Sequence, residues 1–245
     1  MEITEMEEKE LKTSPKQRFF IILIAVLMLG SIIASYAAIV VSGSKGGATE
    51  ETSKIDDAKV KEYEEAYNKI QAEFTEATKD DYKAFSKYQS EVKAYNEEAA
   101  NEGEVKTRDL AKGSGDKVSE DNYLAYYVGW CADESIFDSS YDDNKKPTGF
   151  AKILDPSLGM IEGWTQGVKG MRIGGVREIT IPGKLAYGDS MEICGGKNKP
   201  LKFIVMAVEN TKERKELSDK LDDAYMRYQY AQNGIDYDDV VKQAE

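Results

Sequence analysis

The sequence predicts an α+β fold: a twisted antiparallel sheet wrapped on one short helix, with further helices before and after it in the chain. Residues 105–210 break into short apolar runs separated by Gly and Pro, which is the texture of strands and turns. Residues 54–103 and 211–245 instead repeat their apolar side chains at steps of three and four, the period of a helix face. Residues 19–41 are almost continuously apolar, and about 20 such residues span a bilayer as a helix.

Composition narrows the function before any motif is considered. The chain has 245 residues, 41% of them hydrophobic, enough for a sizeable core. Its 33 Lys and Arg stand against 45 Asp and Glu, and the net charge of −12 repels a phosphate backbone, so no nucleic-acid partner is expected. The chain contains no histidine, which removes the commonest general base and metal ligand together with every Ser-His or Cys-His nucleophile pair. No metal and no cofactor is expected.

The apolar run is preceded by Lys9, Lys12, Lys16 and Arg18 and followed closely only by Lys45. The positive-inside bias then places residues 1–18 as a cytoplasmic tail, residues 19–41 as a single-pass transmembrane helix in the cell membrane, and everything beyond as extracytoplasmic. A cleavable signal peptide is the alternative, since Ser35-Tyr36-Ala37 offers small residues where a signal peptidase reads. Either reading exports the remainder. Residues 42–53, rich in Gly, Ser and Thr, form a linker.

A helical stalk is expected over residues 54–103. Val60, Tyr63, Tyr67, Ile70 and Phe74 share a face, and the stripe resumes at Tyr82, Phe85, Tyr88, Val92 and Tyr95. A single helix and a hairpin broken near Thr78 to Asp81 both fit. A second helix is signalled in the C-terminal extension, where Asn210 and Glu213 suggest a capping box and Asn233-Gly234 a stop. Its face of Leu217, Leu221, Tyr225 and Tyr228 offers a partner for the stalk within one chain, and a homodimer through the stalk is the other arrangement.

Within residues 105–210 the clearest strands are Tyr123 to Cys131, Val176 to Ile181 and Leu201 to Val208, and a short helix follows Asp155 with Ile161, Trp164 and Val168 on one face. Here the order of several blocks carries a resemblance. Ala125-Tyr126-Tyr127-Val128-Gly129, Phe137-Asp138-Ser139-Ser140, Met160-Ile161-Glu162-Gly163-Trp164, Ile181-Pro182 and Ala186-Tyr187-Gly188, closed by Leu201-Lys202-Phe203, resemble the FKBP-type peptidyl-prolyl isomerases in sequence and spacing.

The resemblance implies an FKBP-like fold and an apolar cup that accepts a proline ring. Trp164 would floor it, with Tyr127, Phe137, Ile161, Tyr187 and Phe203 as walls. Asp138 would sit at the rim beside Tyr127, Met160 would line the entrance, and Phe150 would supply another aromatic for substrate binding. The N–H of Ile161 and the hydroxyl of Tyr187 would hold substrate carbonyls. The implied activity is cis-trans isomerisation of X-Pro bonds in proline-containing polypeptide clients, as an extracytoplasmic foldase tethered by residues 19–41. A non-catalytic FKBP-like client-binding module and a purely structural surface protein are the competing functions.

The segment from Asp189 to Pro200 is Gly-rich, with Met191 and Ile193 as its large apolar side chains. In the fold that the resemblance implies, the strand carrying Tyr127 runs antiparallel to the last strand. The end of one, at Cys131, would then lie near Cys194, just before the other. A disulfide between these two cysteines is expected on that placement, against the alternative of two unrelated buried thiols.

Overall fold

The computed structural model of the protein describes residues 55–119, 121–142 and 147–244. The cytoplasmic tail, transmembrane helix and linker expected over residues 1–53 lie outside the described residues. Among those described, no helix is long and apolar enough to cross a membrane.

Five strands build one antiparallel sheet: β1 (Lys106–Ala111), β2 (Tyr123–Trp130), β3 (Ile136–Ser139), β4 (Val176–Ile181) and β5 (Leu201–Glu209), in the spatial order β1-β4-β5-β2-β3. The three strands expected from apolar patterning are β2, β4 and β5, the interior of the sheet. The edges β1 and β3 escaped the pattern. Lys106-Thr107-Arg108-Asp109 in β1 are all exposed, and charged residues on an edge strand deter pairing with another chain.

Strands β2 and β5 are apolar almost without alternation because both faces of the sheet are covered there. On one face lie Tyr123, Ala125 and Tyr127 of β2, Ile179 and Ile181 of β4, and Phe203, Val205 and Ala207 of β5. On the other lie Leu124, Tyr126, Val128 and Trp130 of β2 and Ile204, Met206 and Val208 of β5. Every residue of β2 is buried. Continuous apolar strands are what a sheet buried on two sides requires. The sheet packs on one short helix as expected, and further helices cover its other face.

The first layer is the short helix α4 (Glu162–Val168), which three α-helices precede among the described residues. It lies close to β4 because Gly163 and Gly167 face the sheet. A Cβ at either would come within 2.1 Å and 2.4 Å of methyl groups of Ile181 and Ile179. This approach seats Trp164, 1% exposed, deep against β5.

The second layer comes from the two ends of the described chain. Helix α1 (Asp57–Ala77) begins at Asp56, whose carboxylate accepts the N–H of Lys59 at 2.8 Å, the usual relief of an unpaired first-turn donor. It ends at Thr78, where the hydroxyl donates to the carbonyl of Phe74 and the backbone leaves helical geometry. Helix α2 (Lys79–Ser86) continues at once, and α3 (Glu97–Asn101) follows. Helix α5 (Lys212–Gln232) runs antiparallel to α1: Arg214 near its start pairs with Asp81 at 2.7 Å, whereas Tyr225 and Tyr228 further along pack on Tyr67. A last helix, α6, spans Tyr237–Ala244.

These helices correct the picture of a projecting stalk. The aromatic stripe folds back on the sheet: Phe74 and Phe85, both 0% exposed, join Leu124, Tyr126 and Val128 in one cluster, with Tyr67, Ile70, Tyr82, Tyr88, Val92 and Tyr95 packed around it. The break at Thr78 re-aims the stripe along the sheet and makes no hairpin. The face proposed for a homodimer is thus occupied within the chain, and a second copy would have to use another surface. The C-terminal helix starts one residue later than expected. Thr211 is the cap, its hydroxyl accepting the N–H of Arg214, while Asn210 bonds back to Asp121 and Asn122. It stops as expected at Asn233, followed by Gly234 at φ 73°.

Covering this face matters energetically. Burying one large apolar side chain is worth roughly 1.5–3 kcal/mol, and a domain's net stability is about 5–15 kcal/mol. Exposing the seven large apolar side chains on the α1–α5 side of β2 and β5 would consume most of that.

Candidate active site

The cup is built at the α4 face of the sheet by strand register. Tyr127 of β2 pairs with Val205, and Gly129, two residues on, pairs with Phe203 of β5 and with Asp138 of β3. Pleating points Tyr127, Phe203 and Val205 to the same side. The register between β2 and β3 then shifts, Trp130 pairing with Ile136, so that Phe137 is an extra residue in the ladder. That bulge lets the adjacent residues Phe137 and Asp138 both serve the cup, where a regular strand would have sent them to opposite faces.

The aromatics meet edge to face. Trp164 contacts Tyr127 at 5.9 Å and 88° and Phe203 at 5.4 Å and 83°, while Phe137 meets Phe203 at 5.5 Å and 89°. Such T-shaped contacts satisfy the ring quadrupoles and fix the floor. Gly129 makes room for two of these rings, since a Cβ there would lie 2.7 Å from both Phe137 Cζ and Phe203 Cε1. Trp164 Nε1 donates to the hydroxyl of Tyr123 at 3.2 Å, so the buried indole N–H is satisfied away from the cup.

Floor residues are buried and rim residues half-buried, the profile of an open apolar recess. Tyr127, Trp164 and Phe203 are the former; Phe137, Met160, Ile161 and Tyr187 pack around them as partly buried neighbours. Ile161 stands at the N-cap of α4, and among the described residues its N–H has no acceptor. The hydroxyl of Tyr187 likewise makes no hydrogen bond to a described residue. Burial, then the charge of Asp138, pushes the Tyr187 phenol up to about 12.

At the rim, Tyr127 donates its hydroxyl to Asp138 Oδ2 at 2.5 Å. Burial first, and the Asp138 carboxylate second, hold the Tyr127 phenol well above its ordinary range, so it remains a proton donor. Lys152 donates its ammonium to Asp138 Oδ1 at 2.5 Å and lies over the Tyr127 ring, 5.6 Å from its centre.

The structure thus brings together Tyr127, Phe137, Asp138, Met160, Ile161, Trp164, Tyr187 and Phe203. It does not bring Phe150 with them. That ring is 0% exposed on the opposite face, stacked on Tyr126 at 3.9 Å and 5° beneath α2. Phe150 and Ile153 are turned to the back cluster, so Phe150 is a core residue, while Lys152 of the same segment reaches Asp138 at the rim. Sequence reasoning missed Lys152, Tyr123 and Val205. A lone lysine in a loop carries no periodicity, and Tyr123 was legible only as a strand residue.

Cys131 and Cys194 are joined in a disulfide with Cα atoms 5.4 Å apart. The bond holds the 189–200 loop against the end of β2, and Ile193 of that loop is buried in the cup's own cluster. Among the described residues no group of His, Cys, Asp and Glu is placed to hold a metal ion. A separate cleft of about 310 Å³, lined by Asp109, Lys112, Arg172 and Arg177 among others, lies away from the cup. Its buried cation is spent on structure: Arg177 binds Asp109 at 2.6 Å and the carbonyls of Gly167 and Lys169 at the end of α4.

Residues 114–208 match the family model of the FKBP-type peptidyl-prolyl cis-trans isomerases. The chain is 33% identical over 111 residues to the FK506-binding protein of Neisseria meningitidis serogroup A, covering 44% of this chain and 94% of that relative. It is 37% identical over 105 residues to the FKBP-type peptidyl-prolyl cis-trans isomerase FkpA of Escherichia coli, covering 39% of this chain and 36% of FkpA. Among solved structures it is similar to the crystal structure of AtFKBP13, with 31% identity, 42% of this chain and 90% of that chain covered, and a TM-score of 0.34.

Proposed function

The chain belongs to the FKBP-type peptidyl-prolyl cis-trans isomerases, and on that premise we propose that the Trp164 cup receives a prolyl ring and catalyses X-Pro rotation in polypeptides outside the cytoplasm. The observation that carries this is the convergence of Tyr127, Phe137, Trp164 and Phe203 around one recess, with a fixed acid and unpaired donors at its rim.

Rotation about a peptide bond has a barrier of roughly 18–20 kcal/mol because it breaks amide resonance. The cup needs no nucleophile to lower it. The prolyl ring packs on Trp164 and excludes water, which disfavours the polar planar amide more than the twisted imide. The N–H of Ile161 and the phenol of Tyr187 hold substrate carbonyls and so fix the chain on each side of the rotating bond. Tyr127 and Asp138 hold the rim in place. Catalysis is tighter binding of the twisted form than of either planar isomer.

We also propose that residues 19–41 anchor the enzyme in the cell membrane with the isomerase outside. The charge asymmetry of Lys9, Lys12, Lys16 and Arg18 supports this, as does the disulfide, which persists in oxidising compartments. The clients are then exported proteins.

The test is catalysis of cis-to-trans conversion in a short X-Pro peptide by the purified protein, with protease shaving of intact cells for the topology. A wild-type protein that leaves the uncatalysed rate unchanged would refute the enzyme reading. A cup protected from external protease would refute the topology.

A further inference from the structure

We propose that Lys152 is a specificity-determining residue of the isomerase, one that cancels the charge of Asp138 at the rim and admits acidic residues beside the substrate proline. The inference rests on the isomerase reading of the cup. Asp138 is held on both oxygens, by Tyr127 at Oδ2 and by Lys152 at Oδ1, each at 2.5 Å. The Lys152 side chain is one-third exposed, with its ammonium over the Tyr127 ring, so its charge is fixed at the mouth and in reach of an entering peptide. Buried or half-buried ion pairs of this kind are set by geometry, and the cation is screened less than a freely mobile surface lysine.

Without Lys152 the mouth would carry the carboxylate of Asp138 alone. A Glu beside the proline would be repelled and a Lys attracted. With Lys152 present the rim is locally balanced, although the whole chain carries −12. Lys152 thereby separates the preference of the site from the charge of the molecule.

The experiment measures kcat/KM on two peptides that differ only in Glu or Lys before proline, for the wild type, Lys152→Gln and Lys152→Arg. Interaction of unit charges several ångströms apart at an interfacial dielectric predicts that Lys152→Gln lowers the Glu-to-Lys ratio roughly threefold to tenfold. Lys152→Arg restores it, a rescue that a packing role alone does not give. Added salt draws the Lys152→Gln ratio back toward that of the wild type, because it screens the Asp138 carboxylate left uncompensated, a response that a lost packing contact does not give. An unchanged ratio in a folded Lys152→Gln protein, or a Lys152→Gln ratio that salt does not move, overturns the inference while leaving the isomerase intact. Loss of turnover on both peptides in the wild type would overturn the isomerase reading, and this inference with it.

Discussion

At the scale of single residues the cup depends on groups whose protons do not move. Tyr127 is both wall and donor, so Tyr127→Phe keeps the ring contacts with Trp164 and removes only the bond to Asp138. A hydrogen bond to a charged group is worth about 1.5 kcal/mol, and the expected result is a fall of roughly tenfold in kcat/KM with little change in thermal midpoint. A midpoint drop as large as the activity loss would show that Tyr127 acts through folding alone. The pH profile follows from the same environment. Burial and Asp138 raise the phenols of Tyr127 and Tyr187, the second to about 12, so both remain protonated well past the ordinary tyrosine range. With no histidine in the chain, kcat/KM is expected to stay flat between about pH 6 and 10, where an unperturbed phenol would begin to titrate. The bulge at Phe137 is the clearest limit on reading such a site from sequence. Phe137-Asp138 was visible as a motif, but a pair of neighbours serving one face contradicts strand alternation, and only the register explains it. Phe150 is the reverse case, an aromatic beside the motif that the chain sends to the other side.

At the scale of elements the sheet is inseparable from its second layer. Strands β2, β4 and β5 were legible because their side chains are apolar, and that same run of Leu124 through Trp130 without a polar break held the information that both faces are buried. What it did not reveal is which helices do the covering, because a stripe such as Tyr63, Tyr67, Ile70 and Phe74 fits a coiled coil as well as a sheet face. A fragment of residues 105–210 alone, the unit the sequence marked off, is therefore expected to aggregate or to lose most of its cooperative unfolding, since Tyr126, Trp130, Ile204 and Met206 would face water. Size-exclusion chromatography of that fragment against residues 55–245 decides the matter, and a stable monomeric fragment would count against the two-layer argument. The disulfide acts on a different element, the loop beside the cup. Closing a loop across a separation of 63 residues is worth about 4 kcal/mol in the chain-entropy model. The double variant Cys131→Ser with Cys194→Ser should show a markedly lower denaturant midpoint, and an unchanged midpoint would mean that the loop is held by Ile193 alone.

At the scale of the whole molecule the large complement of buried phenols ties stability to alkaline pH. Burial raises Tyr123 and Tyr187 to about 12, Tyr126 and Tyr141 higher still, and Tyr127 well above its ordinary range. An unfolded chain releases these protons near pH 10, while the native state retains them. Above that point the unfolded state binds fewer protons, so stability falls as pH rises; below it the contribution is fully present. Tyrosine absorbance should accordingly titrate in two phases, an exposed set near pH 10 and a buried set that ionises together with loss of the circular-dichroism signal. A single smooth phase without unfolding would refute the burial. The pairing of α1 with α5 also has a consequence in time. Tyr67 waits for Tyr225 and Tyr228, which the ribosome adds on the order of ten seconds later, and in that interval the strands between them are complete but half bare. A peptidyl-prolyl isomerase is thus, during its own birth, a chain in need of shelter until its last helix arrives.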